Sequence, residues 1–427
     1  MVKLSQNIEA AYEPESAYAT APGSNLYHFG LLDTFDPRQV ERSITPVPSL
    51  GQSTDAHHAV GPLGVTVPIK VACNGTGWKQ LLGKAIGGTE ILSDKRANNL
   101  TTSVESLAVI AKETGGDYTL VAGVVPNEVT LSADYTTGGY ITVEANCTGY
   151  YSLDEGDANF DGFLGDDYSG VTWPSAPSAD PLLPTDLSVT VGVAAATNKL
   201  TVDGPANSSI EIGEQYMRIF DNPTGGLDSS ISSDGILDLT AGAEDTMEEV
   251  KALIHADGNW TCTRAGSDVA SQNLLKGIYN TESSQEIFAA TSMASFTNLK
   301  TVTLKIANNN TSISGKATGD DASTKWLLNN AISRGKADVT LDLTMTAEDE
   351  TYYDMYVAGT TIPLIRLDFG THGSIALTNG TITAFSRPLS PGGETIDSMS
   401  IKFRGAGNYK NFSAYAISSS ISLNPSG

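Results

Sequence analysis

Three shortages in the sequence each argue against a class of protein. The 427 residues contain only three cysteines, Cys73, Cys147 and Cys262, which are too few and too scattered for a disulfide framework or a zinc site. Lysine and arginine number 25 against 49 aspartates and glutamates, and the resulting net charge of −24 argues against tight binding of nucleic acid phosphates. No apolar run is long enough to cross a membrane, and the N-terminus lacks the apolar stretch of a signal peptide, so we expect no membrane contact and no export through such a signal.

Catalytic signatures are also missing. The sequence has no Gly-X-Ser-X-Gly, no His-Glu-X-X-His and no Cys/His pair of the kind that hydrolases use. The stretch 75–83, GTGWKQLLG, begins like a phosphate-binding loop but lacks the third glycine and the Gly-Lys-Ser/Thr ending. We therefore expect no enzymatic activity. A carbohydrate-active enzyme is an alternative that has only the composition in its favour.

What the chain does contain is typical of β-sheets joined by turns. Hydrophobic residues make up 40% of the chain, enough to build cores, and 42 glycines accompany abundant Thr, Ser and Asn. The clearest strand is 338–346, DVTLDLTMT, where apolar residues alternate with Asp338, Thr340, Asp342, Thr344 and Thr346. The same alternation recurs in 64–72, 127–135, 140–147, 300–308 and 397–405. Each strand thus has one apolar and one wettable face, as antiparallel sheets do.

Helical patterns are few and short. Apolar residues recur at helical spacing in 77–88, GWKQLLGKAIGG, with Gly87 as the expected C-cap. The stretches 245–258, DTMEEVKALIHADG, and 323–335, STKWLLNNAISRG, show similar patterns. We predict three short helices that lie on the sheets.

The order strand, short helix, strand, hairpin occurs twice. It runs through 64–72, 78–87, 101–111 and the hairpin 125–151, and again through 337–346, 348–359, 361–370 and the hairpin 378–409. This repetition predicts two copies of one domain at residues 1–151 and 291–427. Between them, 152–290 opens with an acidic stretch and the Pro-rich WPSAPSADPLLP, and we expect a linker and an inserted domain there.

Four stretches carry a family likeness: 27–71, 77–87, 121–150 and 377–407. In these stretches the chain resembles the tail tube (major tail) proteins of long-tailed bacteriophages and related archaeal viruses. The resemblance implies a mainly β fold, with two tandem β-sandwich or barrel domains, each flanked by a short helix, and an inserted middle domain that decorates the outside.

The same resemblance implies a structural role in the virion tail. Inward strands of neighbouring subunits would join into a continuous barrel, as a hexameric ring or, with two tube domains per chain, a trimeric one. The stacked rings would form a tube through which viral DNA passes without specific binding. The partners would be other copies of the chain, the tape measure, the tail terminator and the baseplate, after synthesis in the host cytoplasm. The loop near 36–62, with Asp55, His57 and His58, would reach the next ring.

The polar face of 338–346 suits the wall of such a lumen. A ring needs an apolar face for the subunit core and a polar face for a water-filled channel. A negatively charged wall also repels DNA phosphates. The alternative is a solvated outer sheet face.

One acidic segment resembles a calcium loop. In 157–168, DANFDGFLGDDY, the residues Asp157, Asn159 and Asp161 occupy positions 1, 3 and 5 of an EF-hand-type loop, and the Phe163 carbonyl occupies position 7. Position 12 is a tyrosine, so Asp166 or Asp167 would have to supply the last ligand. We expect no required cofactor and a possible Ca²⁺ site; the alternatives are a solvated acidic turn or, for the whole chain, a secreted or surface adhesin that binds Ca²⁺ or sugar.

Overall fold

A computed structural model gives the fold of the chain. It describes residues 9–15, 18–19, 26–36, 39–47, 57–86, 90–91, 94–95, 106–112, 118–154, 173–193, 197–221, 227–232, 235–240, 242–291, 293–316, 326–333, 335, 338–347, 349–388, 394–403 and 414–417. None of the helices in these ranges is both long enough and apolar enough to traverse a bilayer.

The N-terminal third forms eleven strands and one helix. They are β1 (Glu9–Pro14), β2 (Tyr27–His28), β3 (Leu32–Phe35), β4 (Gln39–Val47), β5 (His57–Ala72), α1 (Gly77–Ile86), β6 (Glu90–Ile91), β7 (Asp94–Lys95), β8 (Leu107–Lys112), β9 (Tyr118–Asp134), β10 (Thr142–Gly149) and β11 (Tyr151–Asp154).

The remaining strands and helices follow in chain order. The middle of the chain contains β12 (Ser188–Gly192), β13 (Lys199–Asp203), β14 (Ser209–Ile212), β15 (Tyr216–Phe220), β16 (Ile236–Asp238), α2 (Met247–Ala256), β17 (Thr261–Ala265), β18 (Gly277–Asn280), β19 (Gln285–Phe288) and β20 (Met293–Ser295). The C-terminal part contains β21 (Leu299–Ala307), β22 (Thr311–Lys316), β23 (Trp326–Ser333), β24 (Asp338–Thr346), α3 (Thr351–Ala358), β25 (Thr361–Asp368), β26 (Ser374–Ser386), β27 (Ile396–Phe403) and β28 (Ala414–Ile417). Short 3₁₀ turns lie at Pro184–Asp186, Ser271–Asn273 and Gly370–His372.

One antiparallel sheet runs through both ends of the chain, and we call it the long sheet. Its strands lie side by side in the order β5, β10, β9, β21, β24, β27 and β26, with β3 and β4 following one another along the outer edge of β5. The prediction of a mainly β protein with antiparallel sheets and short flanking helices is therefore confirmed.

A second layer of strands covers the apolar face of the long sheet. The first half of β9 leaves the long sheet to pair with β8 and β11, and β8 pairs in turn with β1. Gly123 marks this change of partners, with φ at 64° and an absent Cβ that would lie 2.7 Å from the Cβ of Tyr150. Only glycine suits a left-handed conformation in such close contact. Between the layers lies the main core, which includes Trp78 and Leu82 of α1.

The pairing pattern occurs twice. In the first repeat, β5 pairs with β10, β10 with β9, β9 with β8, and β8 with β1. In the second repeat, β24 pairs with β27, β27 with β26, β26 with β25, and β25 with β12. Strands β3 and β21 also correspond, since each pairs with the strand that precedes the helix. The strand pairing therefore repeats in the same order as the elements, and β12, which lies within 152–290, pairs with the second repeat. The division of the chain into domains at 1–151, 152–290 and 291–427 stays a prediction.

The inserted region between β12 and β20 has its own core. It consists of a three-stranded sheet, β17-β13-β19, and a four-stranded sheet, β16-β15-β14-β18, with α2 packed on β17. Thr246 caps α2, because its hydroxyl accepts a hydrogen bond from the Glu249 amide at 3.3 Å while the Glu249 carboxylate accepts one from the Thr246 amide at 3.1 Å. The predicted helix in 245–258 is confirmed as Met247–Ala256, with Thr246 as its N-cap.

A buried ion cluster fastens the inserted region to the outer layer of the second repeat. Glu214 of the inserted region is fully buried and accepts hydrogen bonds from the Arg366 guanidinium of β25 and, at 3.0 Å, from the Ser374 hydroxyl. Lys276, also fully buried, lies 3.4 Å from the second Glu214 oxygen. Arg366 and Lys276 both donate to the Gln272 carbonyl, at 2.9 and 2.7 Å. The inserted region therefore lies on the side of the second repeat that faces away from the long sheet.

The helix predicted for 323–335 is wrong. Residues 326–333 form β23, which pairs antiparallel with β22. Asn329 and Asn330 are poor helix formers, and tertiary contacts favour the strand. The Asn329 side chain donates to the Gly149 carbonyl at 2.9 Å, and the Tyr18 hydroxyl donates to the Asn329 carbonyl at 2.6 Å.

Three other segments differ from the expectation. The segment 36–62 is not a plain loop, since β4 pairs with 57–66 of β5 to make a hairpin. The strand expected at 101–111 is β8, Leu107–Lys112, and residues 101–105 lie outside the described part of the chain. The helix expected at 78–87 is α1, Gly77–Ile86.

We expect Arg366→Met to lower the free energy of unfolding by about 3–5 kcal/mol, because it removes a partner of the fully buried Glu214. The matched control is Lys402→Met, which removes a half-exposed ion pair with Asp338 and should cost less than about 1 kcal/mol. Urea unfolding of the wild-type protein and the two variants checks this. Equal losses for both variants would contradict a fastening role for the cluster.

Candidate functional site: a polar sheet face with two open edges

The face of the long sheet that points away from the core is made of polar and charged side chains. Residues directly opposite one another across the strands form rows along this face. One row contains Lys70, Glu144, Thr130, Lys305, Thr340, Lys402 and Thr381. The next contains Thr142, Ser132, Thr303, Asp342 and Ser400. We call this surface the polar face.

Strand β24 follows the predicted alternation. Its apolar residues Val339, Leu341, Leu343 and Met345 are buried in the core. The structure places Asp338, Thr340, Asp342, Thr344 and Thr346 on the polar face, with Asp342 exposed and the others half-buried. That this face lines a lumen stays a prediction.

Carboxylates outnumber lysines on the polar face. Lys70, Lys305 and Lys402 form ion pairs with Asp33, Glu128 and Asp338 at 2.6, 2.7 and 3.0 Å. Three further carboxylates, on Asp134, Glu144 and Asp342, add negative charge. The hydrogen bond to Asp33 raises the pKa of Lys70, which favours the charged form of this lysine. The described residues of this surface therefore carry a net negative charge. Each of the three lysines already has a carboxylate partner.

Sequence reasoning identified only the β24 part of this surface. The lysines and Glu128 and Glu144 lie at polar positions of the other alternating strands, so the period-two pattern already contained them. Their placement in common rows depends on which strands are neighbours, and that pairing is not encoded locally.

The long sheet has two open edges. In β26, residues 382–386 pair with β27 on one side, and no described strand pairs with them on the other. Thr383, Ala384 and Ser386 are exposed there. At the opposite edge, Leu32–Phe35 of β3 pairs with β5 alone among the strands that the structure describes. Unpaired strand edges present free amide and carbonyl groups to another strand.

The strands that correspond to these edges are paired with each other inside the chain. Strand β9 corresponds to β26, and β21 corresponds to β3. Residues 128–134 of β9 pair with 301–307 of β21 in antiparallel register. The chain therefore already contains one junction of the kind that its two open edges could form between molecules.

The residues expected at an inter-ring contact lie partly in the hairpin. His57 and His58 begin β5, where they pair with Val47 and Pro46 of β4. Asp55 lies outside the described residues. The hairpin β22–β23 occupies the corresponding place in the second repeat, and Leu327 of β23 forms a parallel bridge with Leu63 of β5. A role for these hairpins in stacking stays a prediction.

The predicted calcium loop is not described. Asp157, Asn159, Asp161, Phe163 and Asp167 all fall in 155–172, outside the described residues. Elsewhere in the described ranges, no group of three His, Cys, Asp or Glu side chains is arranged to hold a metal ion. Ca²⁺ binding at 157–168 stays a prediction.

All three cysteines lie in hydrophobic cores. Cys73, Cys147 and Cys262 are buried and free. Burial raises the pKa of the Cys262 thiol to about 12 and raises those of the other two thiols as well. A protonated, buried thiol is a weak nucleophile.

In the monomer we expect the outward amides of 382–386 and 32–35 to exchange with deuterium far faster than those of 128–134. The first two segments have one paired side and the third has two. Hydrogen exchange followed by mass spectrometry of peptides checks this. Slow exchange at 382–386 in a verified monomer would mean that this edge is already covered.

Comparison with known proteins finds likeness in structure alone. No protein-family model matches the sequence, and no curated protein matches it. One similar solved structure is the tail of an empty gene transfer agent particle, computed by helical refinement in C6 symmetry, at 14% identity, with 28% of this chain and 87% of that chain covered and a TM-score of 0.21. Another is the virion of a native gene transfer agent particle, at 11% identity, with 30% of this chain and 88% of that chain covered and a TM-score of 0.21.

Proposed function

We propose that this chain is a structural protein of a virus-type tail, which assembles head to tail into rings that stack into a tube for DNA. The observation that carries the proposal is the β9–β21 junction inside the chain. The strands that correspond to β9 and β21, namely β26 and β3, form the two open edges of the same sheet.

Pairing β26 of one chain with β3 of the next would repeat the internal junction. Such a contact joins two different surfaces, so it propagates head to tail and closes into a ring when the rotation allows. Each added chain would satisfy the free backbone groups at one edge and present the other. The resemblance to tail tube proteins, with two repeats per chain, gives a ring of three chains.

The polar face supports a channel for DNA. In a closed ring the face opposite the core would line the inside, and the inserted region, which is fastened to the outer layer through Glu214 and Arg366, would lie outside. Threonine, serine and an excess of carboxylates would keep the wall wet and repel phosphates. DNA could then slide without binding. Such a tube would meet the tape measure inside it, and the terminator and baseplate at its ends.

Electron microscopy with mass photometry tests the assembly. We expect rings or tubes with a central hole, and a smallest ring with the mass of three 44.7-kDa chains. Amides at 382–386 should gain protection on assembly, while those at 128–134 should not change. A strict monomer at every protein and salt concentration would overturn the proposal.

Reversing charge on the polar face should make assembled rings retain DNA. We expect the double variant Glu144→Lys, Asp342→Lys to sediment with linear duplex DNA at low salt and to release it at high salt, because lysines displace counterions from phosphates. Both residues are exposed on the polar face.

The matched control reverses two exposed carboxylates of the inserted region, Asp203→Lys and Asp221→Lys. Its rings should retain no more DNA than wild-type rings. If the two double variants behave alike, the polar face does not line a channel that DNA enters.

A further inference from the structure

Helix α3 exposes an apolar and aromatic surface to water. None of its residues is buried, and the exposed fractions of Tyr353, Tyr356 and Val357 are 44%, 38% and 66%. These three residues form a large share of the exposed large hydrophobic side chains of the described chain. Contiguous exposed apolar side chains are a common feature of surfaces where proteins bind partners.

The corresponding helix of the first repeat is buried at the same positions. Gly77 begins α1 five residues after β5 ends at Ala72, and Thr351 begins α3 five residues after β24 ends at Thr346. This alignment matches Tyr353, Tyr356 and Val357 with Lys79, Leu82 and Gly83 in α1. All three of the α1 residues are buried.

The difference comes from what covers each helix. Strands β21 and β28 of the second repeat contact α1. The Phe369 ring, just after β25, lies 5.4 Å from the Trp78 ring of α1. Thus α1 is sealed by its own repeat on one side and by the following repeat on the other. In the described part of the chain no further repeat stands beside α3.

The exposed side of α3 is continuous with the open edge of β26. The rings of Tyr353 and Tyr356 lie 5.7 and 6.2 Å from the ring of Phe385 in β26. The Arg387 guanidinium lies over the Phe385 ring, 5.7 Å from its centre, and donates two hydrogen bonds to Asp397 at 2.6 and 2.8 Å. The groove between helix and strand has a volume of about 650 Å³.

We infer that this surface of α3 docks on the first repeat of a second copy of the chain, beside the β3 edge. We identify the docking partner by comparison with the internal junction. There β21 contacts α1, and β3 is the counterpart of β21, so the β3 edge of a second copy would contact α3 in the same way. The β3 edge offers matching chemistry, since Leu31 is 54% exposed and Leu32 and Phe35 are half-buried. The inference rests on the proposed head-to-tail assembly and adds a side-chain contact to the pairing of strand edges.

The test is Val357→Lys, which places a charge on the docking surface. Lysine is a better helix former than valine, so the monomer should keep its fold and melting temperature. Ala252→Lys in α2 is the matched control, because it also replaces an apolar residue with lysine at an exposed helix position. Ring formation is followed by mass photometry and electron microscopy over a range of protein concentrations.

We expect Val357→Lys to need at least tenfold more protein than wild type to form rings, and Ala252→Lys to behave as wild type. Rings from Val357→Lys at the wild-type concentration would overturn the docking inference and leave the tube proposal standing. Failure of the wild-type chain itself to form rings would instead overturn the tube proposal, and the docking site with it.

A second variant tests the identity of the occupant. Leu31→Lys should impair rings in the same way from the other side of the contact. An equimolar mixture of Leu31→Lys and Val357→Lys should then yield dimers, because the intact α3 surface of the first can dock on the intact β3 edge of the second. A mixture that stays monomeric, at concentrations where wild type assembles, would mean that Leu31 and Val357 do not lie on opposite sides of one contact.

Discussion

The antiparallel pairing of β9 with β21 is the constraint on which the rest of the structure depends. It joins the two repeats into one sheet by a regular ladder from Thr301↔Asp134 to Ala307↔Glu128. Because side chains alternate strictly along a strand, this register continues one apolar face and one polar face across both repeats. A shift by one residue would bring Lys305 into the core and expose Leu304.

The same junction explains why two helices with the same place in the fold differ in burial. Helix α1 stands where the repeats meet, so both contribute to its cover and Trp78 and Leu82 are sealed in the main core. Helix α3 stands beside an edge that nothing described covers. Only Tyr352 and Met355 pack against the core from α3, and the Tyr352 ring stacks on Phe296 at 5.1 Å. The asymmetry lies in the neighbours rather than in the helices.

Much of the fold could be predicted from the sequence where the signal is local. The alternation in 338–346 fixed both faces of β24, and the repeated order of elements matches the repeated pairing. The segment 326–333 is ambiguous in sequence, because WLLNNAIS fits a helix or a strand, and contacts with Tyr18 and Gly149 decide for the strand. The ion pair of Lys70 with Asp33, the Glu214 cluster and the open edges could not be predicted, since each depends on residues far apart in the chain.

The inserted region is compatible with an open-edged sheet because of where it is attached. Its buried Glu214 contacts Arg366 on the outer layer, while β12 and β20 carry the chain into and out of it on that same layer. The polar face and the β26 edge belong to the other side of the core. The inserted region has its own core, which includes Trp260 and Met217, so its packing does not depend on the long sheet. Because the inserted region is attached on the outer layer, it leaves the polar face of the long sheet uncovered, along with the two edges that no described strand pairs with.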